Sequence, residues 1–286
     1  MRKSPRVLLA LFAACLFPAL LQAQTRLGAL DLSVHITPIG SQPEPVRQFT
    51  LYILTRSYAD VVKDVSAEET LPTWDEFIDK QDYSDPLKKW LKAHKEVDLS
   101  STDLDRSLTT DDIMDIKEFF DAYEKNNSGG VTKGLPTPKY KDSDKTANPE
   151  KYEKLRQEWL TETRKFIDAH PSTVQGIELE LTAINPKTPW DKLHFKHNAR
   201  TAQLAPNTAQ LKYLVTKVVT NLDGYASISG IPGGSYWVST LGMEASSGDR
   251  RFTWDVPFTV QPGQTARVEL SNLNATDPLH TASATP

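Results

Sequence analysis

A chain of 286 residues with 38% hydrophobic and 24% charged side chains has ordinary globular composition and room for one or two domains. A net charge of -4 speaks against nucleic-acid binding, which needs a basic footprint. The one cysteine, Cys15, excludes a disulfide scaffold and any multi-cysteine metal site.

Arg2, Lys3 and Arg6 precede an apolar run at 7–21 interrupted by Pro18, and Ala23 offers a small residue for cleavage. This is the layout of a secretory signal peptide over 1–23, too short to span a bilayer, so export to a periplasmic or extracellular space is expected. Ala13-Ala14-Cys15 is only roughly lipobox-like. Phe12 replaces the usual aliphatic residue, and Leu16-Phe17 would follow the lipid with more apolar surface, so anchoring at Cys15 is the lesser reading. No second apolar run reaches about 18 residues, so the mature chain is expected to lack a transmembrane span. Cleavage would leave 30 basic and 37 acidic residues and no cysteine.

Along the mature chain, composition changes twice. Residues 59–204 hold 29 acidic and 22 basic side chains, whereas 24–58 and 205–286 together hold 8 of each. The charge-poor flanks alternate with period two at 30–36 and 49–54, then at 213–219, 225–228, 235–241, 252–260 and 265–270. Turn-forming Gly, Pro, Asn or Asp separate these runs. Seven short strands punctuated by turns predict an antiparallel sandwich, and Pro257 predicts an edge or bulge in the sixth.

The charge-rich middle reads as helices. Thr73-Trp74-Asp75-Glu76 is a capping box; Asp85-Pro86 supplies a cap and a first-turn proline. Thr110 can cap a helix carrying Ile113, Ile116, Phe119, Phe120 and Tyr123, which Gly129-Gly130 would end. Asn148-Pro149 opens a helix with Tyr152, Leu155, Trp159, Phe166 and Ile167 on one stripe, stopped by Pro171. Residues 173–184 fit either alternation or a helical face, with a slight lean to helix. Trp74, Trp90, Trp159 and Trp190 can form this region's core. The expected organisation is a discontinuous sandwich (24–58 and 205–273), a helical insertion (59–204) and a flexible tail (274–286). Loop-closure entropy grows slowly enough with length to tolerate such an insertion.

The segment Thr220-Asn221-Leu222-Asp223-Gly224-Tyr225, continuing through Ile231-Pro232-Gly233-Gly234-Ser235-Tyr236, holds two tight turns. It resembles the carboxypeptidase-regulatory-like (transthyretin-like, prealbumin-like) β-sandwich family, whose pattern runs T-D-x-x-G … L-P-P-G-x-Y. Asn221 replaces the usual Asp and Gly233 the second Pro. The stretch 260–270 is similar to that family's closing hairpin. The resemblance covers about 60 residues and implies a seven-stranded Greek-key sandwich, Ig-like in character, used as an accessory or binding module, with no shared catalytic residues.

Chemical motifs are sparse. His194 and His197 have an i, i+3 spacing that could hold a divalent ion if a carboxylate joined, against the plainer reading of two histidines beside a polar loop. Asp103, Asp105, Ser107 and Asp111 fail as an EF-hand, because Leu108 and Met114 occupy the Gly and Glu positions. Asp111, Asp112, Asp115 and Glu118 fit the acidic first turn of a helix. No nucleophile elbow, phosphate loop or cofactor fingerprint is present, so no cofactor is expected. Trp190, Trp237, Trp254 and Tyr225 are aromatic candidates for contacting a partner, with core packing as the competing role. The leading expectation is an exported, non-enzymatic module binding an envelope or extracellular protein, or a glycan, through the insertion or its seam with the sandwich. The alternatives are a hydrolase-like envelope enzyme using insertion carboxylates with His194 or His197, and a structural spacer.

Overall fold

The computed structural model describes residues 27–128, 132–247 and 250–276. The expected signal segment with Cys15, the Gly129-Gly130 pair and the tail from 277 lie outside the described residues. The chain divides into two units: the described residues up to Val61 and from Ala205 onward, and Val62–Leu204.

In the first unit the strands are β1 (Gly28–Ile36), β2 (Glu44–Pro45), β3 (Thr50–Leu54), β4 (Leu214–Val219), β5 (Tyr225–Ile231), β6 (Gly234–Ser239), β7 (Ala245–Ser247), β8 (Arg250–Phe252), β9 (Asp255–Val260) and β10 (Thr265–Leu270). One sheet places β1 between β10 and β5, with β2 joining the end of β1; the other runs β4-β3-β6-β9. Pairing is antiparallel except between β1 and β10, which run parallel. That corrects the all-antiparallel expectation. First and last strands that start at the same end of a sheet can only meet in parallel. The β7–β8 hairpin and the two-residue β2 also take the described strands beyond seven.

Alternation decides which side chains form the core. Leu30, Leu32, Val34 and Ile36 of β1 are buried and share one cluster with Leu51 and Ile53 of β3 and Tyr236 and Val238 of β6. Burying each such side chain contributes about 1.5–3 kcal/mol. The turn before β5 is built by Asn221, whose Oδ1 accepts from the amides of Asp223 (3.0 Å) and Tyr225 (2.8 Å). Gly224 follows at φ 78°, and a Cβ there would lie 2.6 Å from the Val34 carbonyl, so no other residue fits. At the second turn the Tyr236 hydroxyl donates to the Pro232 carbonyl at 2.9 Å. β9 is an edge strand, which accommodates Pro257. The expected tail begins in ordered structure: Thr276 bridges to Thr253, and the Asn274 side chain donates to the Glu269 carbonyl.

The helices are α1 (Tyr58–Ala67), α2 (Trp74–Asp79), α3 (Asp85–Ala93), α4 (Thr110–Asp115), α5 (Lys117–Asn126), α6 (Asp144–Ala147), α7 (Pro149–Ala169), α8 (Ile177–Leu181) and α9 (Lys187–Lys212). The Thr73–Glu76 capping box and the Asn148 cap form as expected. Two other caps sit one residue earlier than expected, at Ser84 and Thr109, because those residues take the extended backbone that a cap needs. Residues 171–184 are helical turns, not strand. The second unit's core gathers Trp74, Ile78, Leu87, Trp90, Leu91, Phe119, Tyr123 and Trp190. Trp159 is also buried, beside Phe120 and Tyr140.

The start of α1 is capped from far along the chain. Asp255 of β9 accepts from the Ser57 hydroxyl (2.6 Å), the Tyr58 amide (3.0 Å) and the Ala59 amide (3.1 Å). Asp255→Ala is expected to cost about 1–2 kcal/mol in denaturant unfolding, and Asp255→Asn to recover only part of it, since both carboxylate oxygens accept and one of them becomes an NH2 group that cannot. An Asp255→Ala variant as stable as wild type would contradict the capping role.

Candidate functional site

In the second unit the four acidic candidates, Asp111, Asp112, Asp115 and Glu118, are engaged in structure. Asp112 completes the Thr109 cap, and Asp111 and Asp115 both pair with Arg164. Glu118 accepts from the Ser84 amide (2.8 Å) and hydroxyl (2.7 Å). Partial burial alone would raise the Glu118 carboxyl, but these two bonds, with Lys117 nearby, bring it below its ordinary value of 4.5. Asp98 is lowered from 3.8, chiefly by the Ser100 hydroxyl, against partial burial. A depressed folded-state pKa supplies stability above the ordinary value and loses it as pH falls through the folded one. The melting temperature is therefore expected to drop on acidification below about pH 4.5, and Glu118→Gln to make that drop shallower. An unchanged acid slope in Glu118→Gln would contradict the assignment.

His194 and His197 lie within α9 rather than beside a loop. The His197 ring is buried with Nε2 2.9 Å from the Ser66 hydroxyl, and His194 packs against Trp190 with ring centroids 4.3 Å apart. His194 Nε2 and His197 Nδ1 are buried without a hydrogen-bond partner. Among the described residues, no three His, Cys, Asp or Glu side chains come together as a metal-binding group.

Two of the aromatic candidates are core residues. Trp190 is 5% exposed and wedged against Trp74 and Phe77. Trp254 is 1% exposed, with its indole N–H donating to the Ser271 carbonyl. Both lie in phase with apolar neighbours, so burial claims them. Trp237 points away from the Tyr236–Val238 face and is half-buried opposite Leu54 and Pro257. Of the four candidates, Tyr225, 53% exposed, is the one that offers a largely open ring.

Tyr225 belongs to a polar surface on the outward side of the β5-β1-β10 sheet. Pairing aligns Tyr225, Ser33 and Glu269 in one row and Ser227, Asp31 and Arg267 in the next. The Ser227 hydroxyl donates to Asp31 at 2.7 Å, and His35 meets the Tyr225 ring edge-on at 5.6 Å. These rows line an open groove of about 680 Å³. A second groove of about 610 Å³ runs past Glu44, Arg47, Phe49 and Glu244, but its one aromatic packs into the core. Sequence reasoning singled out Tyr225 alone from the first groove. The outward phase of Asp31, Ser33 and His35 was readable, but their partners on β5 and β10 lie about 200 residues away in sequence. Compared with known proteins, the chain matches no family model, no curated protein and no solved structure.

Proposed function

We propose that the chain is an exported, non-enzymatic binding module built on a transthyretin-like sandwich, and that it binds through the outer face of the β5-β1-β10 sheet. The signal-like segment at 1–23 supports export. The sheet order supports the sandwich: the long strands divide between two sheets, β5-β1-β10 and β4-β3-β6-β9, whose inward side chains share one core cluster. The observation that carries the binding reading is the open Tyr225 ring set among Asp31, Arg267 and Glu269 on three hydrogen-bonded strands. A rigid sheet presents such groups with little ordering cost on binding. This location differs from the insertion and seam expected from the sequence, because the insertion's four tryptophans are buried.

The test is retention of envelope material, protein or glycan, by the immobilised chain. The wild type is expected to retain a component that the Tyr225→Ala, Arg267→Ala double variant loses about tenfold or more. Equal retention by both would contradict the placement.

A further inference from the structure

We infer that the ligand of this face is a neutral glycan, with one sugar ring stacked on Tyr225 and neighbouring hydroxyls held by Arg267, Asp31 and Glu269. This rests on the reading of the face as the binding surface and adds the chemical class of what it binds. Four observations carry it.

The first is the ring. Tyr225 is backed edge-on by His35, so its orientation is held while more than half its surface stays open. The electron-rich face of an aromatic ring attracts the C–H groups on the flat side of a sugar.

The second is the hydrogen-bonding inventory. A carboxylate can accept from two adjacent hydroxyls, and a guanidinium can donate to two adjacent oxygens. Among the described residues the Arg267 and Glu269 side chains show no hydrogen bond or ion pair, and Asp31 spends one oxygen on Ser227. Polyhydroxyl ligands satisfy donors and acceptors at once, which this mixed set requires.

The third is charge. Two carboxylates against one guanidinium leave the face slightly negative, which disfavours an anionic saccharide.

The fourth is size. Three strands about 4.8 Å apart and two rows about 7 Å apart give a patch roughly 10 Å by 7 Å. That gives room for one or two sugar rings. Apart from Tyr225 the patch also lacks the large aromatic or apolar anchors that concentrate binding energy between proteins.

The experiment is to probe the purified full chain on an array of neutral and anionic glycans, followed by calorimetric titration with cellohexaose, chitohexaose and maltohexaose. At least one neutral glycan is expected to bind. Tyr225→Ala and Arg267→Ala should each weaken it about tenfold, Tyr225→Phe should keep it within about threefold, and Phe195→Ala on α9 should leave it unchanged. Loss in Tyr225→Phe equal to that in Tyr225→Ala would overturn the stacking role. The absence of any neutral binder, or a preference for anionic glycans, would overturn the ligand class. If envelope material retained through Tyr225 is destroyed by protease and survives periodate, the face binds a protein: the glycan inference then fails while the module reading stands. If saccharide binding ignores both alanine variants, the site itself is misplaced and both fail.

Discussion

Trp254→Ala is expected to destabilise the first unit by about 3–5 kcal/mol, the cost of emptying a large aromatic site in a core that relaxes only partly. The side chain is 1% exposed, packs beside Phe252, and donates its indole N–H to Ser271. Its backbone is fixed as well: the Trp254 amide donates to the Thr240 hydroxyl, and its carbonyl accepts from the Thr240 amide. Truncation therefore opens a cavity and leaves the Ser271 carbonyl without its donor. In thermal unfolding this corresponds to a fall of roughly 10 °C or more. Trp254→Phe keeps most of the volume and should lose clearly less. A shift of under about 3 °C in the alanine variant would contradict a core role and restore Trp254 as a surface candidate.

Phe119→Ala is expected to cost a similar 3–5 kcal/mol in the second unit. Phe119 is fully buried on α5 and meets Trp90 of α3 edge-to-face, with centroids 5.0 Å apart. It follows Glu118 directly, so the residue that holds the Ser84 end of α3 and the residue that packs beneath it are neighbours on one helix. Phe119→Leu should recover much of the loss, because area is replaced though the edge-to-face contact is not. Urea unfolding followed by circular dichroism at 222 nm would read both variants. A Phe119→Ala midpoint within error of wild type would contradict the packing described.

Local signals were readable wherever one segment carried its own explanation. The alternation at Leu30, Leu32, Val34 and Ile36 marks the inner side of β1, and the Thr73–Glu76 pair marks the start of α2. Ser84 and Thr109 were missed as caps by one residue, because each precedes a second residue, Asp85 or Thr110, that could serve equally well. The full extent of α9 was hidden for a different reason. Its buried positions Trp190, His197, Thr201, Ala205 and Ala209 recur at helical spacing, but two are polar and two are alanines. Hydrophobic periodicity cannot register such a stripe, and Pro206 inside the helix argues against it.

What needed the structure was pairing. The parallel contact of β1 with β10 joins residues more than 230 positions apart, and no turn between them records it. The candidate face depends on that contact, since Arg267 and Glu269 reach Asp31 and Ser33 only through it. The competing role of core packing holds for Trp190 and Trp254, whose size suits a core, and of the four aromatic candidates the smaller Tyr225 is the one left largely open.

The outer face of the β5-β1-β10 sheet, and not the helical unit, is proposed to meet the ligand. Hydroxyl-radical footprinting of the chain with and without its retained ligand tests this most directly, because each unit has its own exposed reporter: Tyr225 with His35 in the first, and Phe195, 73% exposed, in the second. Oxidation of Tyr225 is expected to fall several-fold in the complex while that of Phe195 is unchanged. Protection of Phe195 with Tyr225 still reactive would contradict it.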